Sequence, residues 1–354
     1  MKAMVLRGGR FALEQVPDPT PAPGQWLARP LACGVCGSDL HAKDHAPHLC
    51  DLLHRAGFRG FMNPDQPVIM GHEYCCELIE PAGAFPAGQR IVSLPFLTGA
   101  QGIELIGYSN SYNGAFAEAM LLDAALTLPV PDHVPTDIAA LTEPLSVAVH
   151  AVAESGADQS CAFAVVGCGP VGLFIIARLR ALGLGPILAI EPSPGRRAMA
   201  ERMGADIILA PGDEAGADWW TQLGLPIGMS DAMAVLAEQK RRSRAIVFEC
   251  VGKPGMLMTL AASAPTGATI MVVGNCMEPD AIEPAFLLQK GLTLRFVFAY
   301  TPAEFAQALA MIDAEPAALS PMVTGSVALP DLDAAFASLT GGDSSQIKML
   351  VRPS

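Results

Sequence analysis

The chain has 354 residues, of which 51% are hydrophobic and 16% are charged, and its formal net charge is −13 at pH 7. This length allows two domains with separate cores, and the low charge content excludes an intrinsically disordered chain. So acidic a chain lacks the basic surface that nucleic-acid binding requires. The N-terminus shows no signal sequence, and glycine and proline interrupt the most apolar stretch, 161–177. We therefore expect a cytoplasmic protein without a membrane span, with its nine cysteines reduced.

The first 147 residues are rich in proline, glycine and short β-like runs. The predicted strands are Lys2–Leu6, Gln25–Cys33, Glu73–Glu80, Gln89–Leu94 and Ala115–Leu122. Short strands separated by loops are typical of an antiparallel, barrel-like domain. A polar segment lies between the second and third of these strands, and we interpret it as a loop. It contains four potential ligand side chains that we expect to be solvated or packed within the loop: Asp44, His45, His48 and His54.

A different pattern begins at about residue 148, where strands and helices alternate. The predicted strands are Ala162–Val166, Ile187–Glu191, Ala245–Cys250 and Thr269–Gly274, and the predicted helices are Val171–Gly183 and Arg196–Met203. This alternation predicts an α/β fold with a doubly wound parallel sheet. We place this Rossmann domain at 148–298, ending with an edge strand at Leu292–Phe298. The remaining residues, 299–354, are expected to return to the first domain, 1–147.

A glycine-rich turn joins the first strand and helix of the second region. Gly167, Gly169 and Gly172 follow the spacing of a dinucleotide-binding turn, and Pro170 and Val171 begin the helix. The first glycine permits a tight turn, the second lets the backbone approach a pyrophosphate, and the third lets helix and strand pack closely. The alternative is that these glycines serve helix packing only.

A carboxylate lies about twenty residues further on, where a dinucleotide site holds the ribose hydroxyls. Glu191 closes the second predicted strand and would repel a 2′-phosphate, which favours NAD over NADP. Arg196 and Arg197 weaken this preference, because an arginine nearby can accept the phosphate.

Three short motifs in the first region supply potential metal ligands. They contain Cys36, His72 with Glu73, and Glu143. A thiolate, an imidazole and carboxylates form the mixed donor set that catalytic zinc uses while one position stays open for substrate. Glu143 could instead be a carboxylate at a helix start, since Pro144 follows it.

Together these motifs resemble the zinc-containing medium-chain dehydrogenase/reductase superfamily, and more closely its polyol and threonine dehydrogenase branches. The resemblance spans nearly the whole chain and is most specific at 34–41, 71–73, 143–150 and 167–172. It implies a GroES-like catalytic domain beside the Rossmann domain. It also implies catalytic zinc at Cys36 and His72, with Glu73 and Glu143 binding the metal directly or through water.

The resemblance further implies roles for residues around the metal and the cofactor. Ser38 would take the proton of the bound alcohol and His41 would relay it to solvent, although His41 could be an ordinary surface histidine. Asp39 would accept a hydrogen bond from the ligand histidine, or merely cap a helix. Three residues would contact the cofactor: Val147, Val273 and Lys348, the last of which could instead be an exposed strand lysine.

Two segments depart from the family pattern. Residues 95–113 contain no cysteine, although many relatives carry a four-cysteine lobe there, so we expect one zinc per chain and no structural zinc. The stretch between Cys36 and His72 is longer than in close relatives and contains Phe58, Phe61 and Met62. It is either a partial lid over the substrate or a loop packed on itself or on a second subunit.

The resulting hypothesis is hydride transfer between a fairly apolar secondary alcohol, or its ketone, and NAD. Two alternatives are a zinc-independent enone or quinone reductase of the same fold and a non-catalytic NAD-binding protein. The apolar edge strand predicts a homodimer or homotetramer, because an unpaired apolar edge invites aggregation.

Overall fold

The computed structural model describes residues 1–99, 102–230, 232–233, 243–340 and 346–353. The chain divides into two compact units. The first consists of Met1–Pro144 together with Pro302–Ser354, and the second of Leu145–Thr301. No helix in the described ranges has both the length and the apolar character needed to cross a membrane.

Eighteen strands are present in these ranges. In chain order they are β1 Lys2–Arg7, β2 Arg10–Gln15, β3 Gln25–Gly34, β4 Val68–Ile69, β5 Glu73–Leu78, β6 Arg90–Ser93, β7 Phe96–Gly99, β8 Gly102–Leu105, β9 Met120–Asp123, β10 Thr127–Pro129, β11 Cys161–Val166, β12 Ile187–Ile190, β13 Ile207–Leu209, β14 Arg244–Glu249, β15 Thr269–Val272, β16 Thr293–Phe296, β17 Val323–Ala328 and β18 Lys348–Arg352.

The described α-helices alternate with the later strands. They are α1 Gly37–Arg55, α2 Thr136–Ala139, α3 Thr142–Glu154, α4 Pro170–Ala181, α5 Pro194–Met203, α6 Ala215–Gln222, α7 Met256–Ser263, α8 Pro284–Gln289, α9 Pro302–Ala314, α10 Pro316–Leu319 and α11 Leu332–Thr340.

The first unit is built around a seven-stranded sheet. Its order is β10-β6-β5-β3-β18-β17, and β9 pairs with the start of β3. All neighbouring strands are antiparallel except β17 and β18, which are parallel. The C-terminal strand β18 joins this sheet by pairing with β3. A second sheet, β2-β1-β4, lies in the same unit. The β-rich domain predicted from the sequence is confirmed.

The polar segment after Cys36 is a helix, so the interpretation of 44–54 as a loop is wrong. Ala42 and Ala46 are buried, and three half-buried residues, Leu49, Cys50 and Leu53, pack against the same core. Their spacing is that of one helix face. The proline at position 47 obscured this pattern, and the helix accommodates it through a kink at His45, whose backbone is non-helical.

The second unit contains a six-stranded parallel sheet with the order β13-β12-β11-β14-β15-β16. Numbered from β11, this is the 3-2-1-4-5-6 order of a Rossmann fold, in which a ligand binds where the strand order reverses. Strand β11 occupies that central position and is buried along its whole length. The predicted doubly wound fold is confirmed.

Candidate metal and cofactor sites

Three potential metal ligands meet in the first unit. One donor atom from each of Cys36, His72 and Glu73 lies within 4.8 Å of the other two, and no second group of this kind occurs in the ranges that the structure describes. Strand pairing explains the meeting, because Gly34 at the end of β3 lies opposite Glu73 at the start of β5. Cys36 follows β3 and His72 precedes β5, so both side chains lie at this end of the pair. A thiolate, an imidazole and a carboxylate at these distances fit zinc.

Asp39 lies against the ring of His72, the histidine predicted to bind the metal. Its side chain is fully buried, its Oδ1 lies 3.2 Å from His72 Nδ1, and its Oδ2 accepts a hydrogen bond of 2.9 Å from the Cys36 backbone N–H. Once His72 has lost one proton and keeps the other on Nδ1, its lone pair at Nε2 would be free for a metal. Asp39 therefore links the backbone of one ligand with the ring of another.

The charges around these ligands shift their pKa values in opposing ways. Burial lowers the pKa of His72, but Asp39 and the Cys36 thiol outweigh it, and the pKa is raised well above the usual value. Burial and the charge of Glu73 raise the pKa of Cys36, against an opposing effect of His72. Binding of a metal to this thiol therefore requires release of its proton.

Lys348 lies beside Glu73 and is buried, so its interpretation as an exposed strand lysine is wrong. Its buried Nζ donates to both oxygens of Glu73, at 2.8 and 2.6 Å, and to the carbonyl of Val35 at 3.3 Å. Burial opposes the charged form of Lys348, yet Glu73 and Cys36 outweigh it and raise its pKa. A Cβ atom on Gly34 would lie 2.1 Å from Glu73 Oε2, so only glycine leaves room for the pair.

Glu143 lies outside the group of three. It occupies the first turn of α3, is nearly buried, and its charge raises the pKa of both His72 and Lys348. The structure therefore brings Glu143 into the electrostatic surroundings of the metal ligands without making it one of the closest donors.

A tyrosine from the segment 95–113, where no site residue was predicted, lies beside Asp39 and Ser38. The Tyr108 hydroxyl donates to Asp39 Oδ1 at 2.8 Å and lies 2.8 Å from Ser38 Oγ. Burial and the charge of Asp39 raise the pKa of Tyr108 well above its usual value, so the phenol keeps its proton. No motif marked this residue, because the contact depends on how 95–113 folds.

His41 lies one turn along α1 from Ser38 and is partly exposed. Burial and the charge of His45 lower its pKa, while Asp44 acts against them. The two histidine ring centroids are 6.4 Å apart. His41 is therefore mainly neutral at pH 7 and able to accept a proton.

The glycine turn of the second unit has the predicted geometry. Gly167 has a φ of +90°, and a Cβ there would also meet the carbonyl of Cys250 at 3.0 Å. A Cβ on Gly172 would lie 2.0 Å from the Gly167 oxygen. A Cβ on Gly169, at the start of α4, would meet no atom within 4 Å, so open space faces this residue and a ligand can approach its backbone. Pro170 and Val171 form the half-buried first turn of α4.

The predicted ribose-binding carboxylate lies next to this turn. Glu191 is buried, its Oε2 accepts a hydrogen bond from the Cys168 N–H at 2.7 Å, and its Oε1 accepts one from the Ser193 N–H at 2.9 Å. Arg196 is half-buried in the first turn of α5. Val147 on α3 and Val273 after β15 are half-buried in the same unit.

Comparison with known proteins matches both units. Residues 170–314 match the family model described as zinc-binding dehydrogenase, and 22–132 match the alcohol dehydrogenase GroES-like domain. The (R,R)-butanediol dehydrogenase of Bacillus subtilis is 30% identical over 355 residues, which cover 96% of each chain. The enzyme of the same name from Neisseria gonorrhoeae is 28% identical, over 98% of this chain and 97% of its own.

A solved structure agrees with these matches. The crystal structure of 2R,3R-butanediol dehydrogenase from Bacillus subtilis covers 100% of this chain and 99% of its own, with a TM-score of 0.81 and 27% identity. A zinc-dependent oxidoreductase that acts on CH–OH groups with a nicotinamide cofactor needs both a metal donor group and a dinucleotide turn, and this chain has both. The chain belongs to the zinc-containing medium-chain dehydrogenase/reductase superfamily.

Proposed function

We propose that the protein oxidises a small, fairly apolar secondary alcohol, or reduces the matching ketone, with NAD and one zinc per chain. The observation that carries this proposal is the convergence of Cys36, His72 and Glu73. The Ser38 hydroxyl is connected to this group through Tyr108 and Asp39. The proposal of a single zinc is supported by the lack of cysteine in residues 95–113.

The residue roles follow from the chemistry of alcohol oxidation. A bound zinc lowers the pKa of the alcohol, and the oxidised nicotinamide accepts the hydride. Cys36 and His72 would hold the metal, and Glu73 and Glu143 would bind it directly or through water. Ser38 would accept the alcohol proton and His41, neutral at pH 7, would pass it to solvent.

The preference for NAD rests on the side chains around the ribose position. Glu191 would accept hydrogen bonds from the ribose hydroxyls and repel a 2′-phosphate. Arg197 is already engaged, because its Nη1 donates to the carbonyls of Glu191 and Pro192 at 2.8 and 2.7 Å. Arg196, in the first turn of α5, is the second arginine near this position.

Substrate, assembly and location complete the proposal. Both butanediol dehydrogenase relatives act, by name, on a four-carbon diol, which makes 2,3-butanediol the first substrate to test.

A homodimer or homotetramer through β16 is supported by its exposed apolar edge, where Phe296 is 70% exposed. A cytoplasmic location is supported by nine unpaired cysteines.

The zinc-independent alternative has little in its favour, because an enone or quinone reductase would not need the group of Cys36, His72 and Glu73. A non-catalytic NAD-binding protein would likewise not need a metal donor group.

The test measures zinc per chain and the reduction of NAD and NADP by 2,3-butanediol, 2-butanol and sorbitol, before and after chelation. We expect about one zinc per chain, turnover that chelation abolishes, and faster reduction of NAD than of NADP. Oxidation of added NADH or NADPH by methyl vinyl ketone in the presence of the chelated protein, with no alcohol oxidation, would support the enone reductase instead.

A pair of cysteine variants controls for unspecific damage. Cys36→Ser should lose zinc and activity while NADH binding, measured by fluorescence, is retained. Cys276→Ser, in the second unit and outside the donor group, should keep both. Full activity of Cys36→Ser would contradict the metal assignment.

A further inference from the structure

Glu249 is the last residue of β14 and bonds to two loops at once. Its side chain is buried, and its Oε1 accepts hydrogen bonds from the backbone N–H groups of Val251 and Gly252, at 2.7 and 2.8 Å. Its own backbone carbonyl accepts two more, from the N–H groups of Val273 and Gly274, both at 2.9 Å. One residue therefore fixes the segment that follows β14 and the segment that follows β15.

Two glycines let these segments pack backbone against backbone. Gly252 has a φ of +64°, and a Cβ on it would lie 2.8 Å from the backbone nitrogen of Asn275. A Cβ on Gly274 would lie 2.4 Å from the backbone nitrogen of Gly252 and 2.7 Å from Glu249 Oε2. We call residues 250–252 and 273–275 the paired loops. Because no side chain separates them, the position of each loop depends on the other and on the carboxylate beside them.

The paired loops also adjoin the glycine turn. A Cβ on Gly167 would lie 2.8 Å from Val251 Cγ2, and the Cys250 N–H donates to the Val166 carbonyl at 2.8 Å. The turn and the loops follow three neighbouring parallel strands, β11, β14 and β15, so they lie at the same carboxyl edge of the sheet.

Strand order relates the paired loops to one half of a dinucleotide, which binds across the crevice at this edge. The adenosine ribose is expected at Glu191, after β12, and the pyrophosphate at the glycine turn, after β11. The strands lie in the order β12-β11-β14-β15, so the nicotinamide half would continue over the paired loops. Val273, expected to contact the cofactor, belongs to them.

We propose that Glu249 is a positioning residue that holds the paired loops in the conformation that receives the nicotinamide half of the cofactor. The inference rests on the proposed function, from which it takes the dinucleotide and the direction in which it lies. Glu249 acts through the loop backbone and does not itself contact the cofactor.

The test compares a whole dinucleotide with its adenosine half. Glu249→Met keeps the length of the side chain but leaves two N–H groups without their acceptor. The loops would then have to be ordered on binding, so the Kd of NADH should rise about 10- to 100-fold. ADP carries only the adenosine and the pyrophosphate, and its Kd should stay within about twofold. Calorimetric titration measures both ligands. Equal weakening of both, or an unchanged Kd of NADH, would overturn the proposal.

Two conservative variants separate the hydrogen bonds from the charge. Glu249→Gln keeps an acceptor oxygen for the two N–H groups and should bind NADH within about threefold of the wild type. Glu249→Asp keeps the charge on a shorter side chain, so it should lose part of the NADH affinity and keep that for ADP, and it carries the same test if the methionine variant does not fold. A glutamine variant as weak as the methionine variant would overturn the route through the hydrogen bonds.

Asp206→Leu is the matched control. The Oδ2 atom of Asp206 also accepts a backbone N–H, that of Ile187 at 2.7 Å, but this contact lies at the amino end of β12. Its loss should therefore leave the Kd values of NADH and ADP unchanged. A weakening of NADH alone in this variant would contradict the placement of the nicotinamide half at the paired loops.

Hydrogen exchange provides a measurement without ligand or turnover. The amides of Val251 and Gly252 should exchange faster in Glu249→Met than in the wild type, and unchanged exchange would overturn the proposal. If NADH and ADP binding separate as expected and no alcohol is oxidised, the proposed function fails and the inference stands. If alcohols are oxidised with NAD and both ligands weaken together, the inference fails and the proposed function stands.

Discussion

Glu73 and Lys348 form a buried ion pair whose partners lie 275 residues apart in the chain. Removing two charges from water costs several kcal/mol per ion, and the geometry must offset it through short, well-aligned contacts. Here both carboxylate oxygens are bonded, and Gly34 leaves the space for them. The pair therefore holds Glu73 beside Cys36 and His72 with its charge compensated, and a metal that binds Glu73 directly would compete with Lys348 for the same carboxylate.

His41 allows a prediction about pH. The charge of His45 lowers the pKa of His41, so replacing His45 removes a cause of the shift and the pKa should rise. Protonated His41 cannot accept a proton, so the acid limb of kcat for alcohol oxidation should move to higher pH in His45→Gln. The measurement is the pH profile of kcat with saturating substrate and NAD.

Asp44 supplies the opposite variant. Its charge raises the pKa of His41, so Asp44→Asn should move the acid limb to lower pH. A limb that moves in the same direction in both variants would remove His41 from the proton path.

Among the elements, α4 and its glycine turn behave as the sequence pattern predicts, since the pattern encodes the local geometry that each glycine serves. By contrast, the helix α1 was not predicted, because Pro47 and the polar residues around it mask a regular apolar face. The hairpin of β7 and β8 could not be predicted from the sequence either. Its apolar residues indicate burial, but nothing in their order indicates that Tyr108 would reach Asp39.

Two substitutions in the glycine turn should affect protein stability and cofactor binding separately. Gly172→Ala places a Cβ against the Gly167 oxygen and should destabilise the protein by about 1–3 kcal/mol. Gly169→Ala meets no neighbouring atom and should fold normally, but its methyl group lies where the cofactor pyrophosphate would approach. We expect this variant to bind NADH at least about tenfold more weakly.

Urea unfolding and NADH titration of both variants check this pair of outcomes. Normal NADH affinity in Gly169→Ala would place the pyrophosphate elsewhere.

At the scale of the whole molecule, both fold types were predictable because each has its own hydrophobic period: short alternating strands in the first unit, and buried strands alternating with helices in the second. The pairing of β18 with β3 was not, since strand order between distant segments leaves no local trace. For the same reason the pairing of Lys348 with Glu73 could not be predicted, and the role expected for Lys348 at the cofactor phosphates came from the family resemblance alone.

The exposed edge of the second unit predicts the oligomeric state. Strand β16 has one paired side, and Phe296 on it is 70% exposed. Phe296→Glu should convert the expected dimer or tetramer into smaller species, because a charge would have to be buried in the interface. Light scattering after size-exclusion chromatography measures this.

Ile103→Glu is the matched control, because Ile103 is also exposed, at 59%, but lies on β8 in the first unit. A wild-type chain that is monomeric at micromolar concentration would contradict the interface.

The separation between Glu73 and Lys348 also has a consequence for biosynthesis. After residue 73 has been made, the ribosome must translate all of the second unit before it reaches residue 348. These 275 residues take about 14–55 s at about 5–20 residues per second. During that interval the carboxylate has no ammonium partner, and β3 lacks the neighbour that β18 later provides. A nascent chain in which β3 and β5 had already paired would therefore bring Cys36, His72 and Glu73 together before the ion pair could form. Metal loading during translation and loading after release would thus meet two chemically different sites.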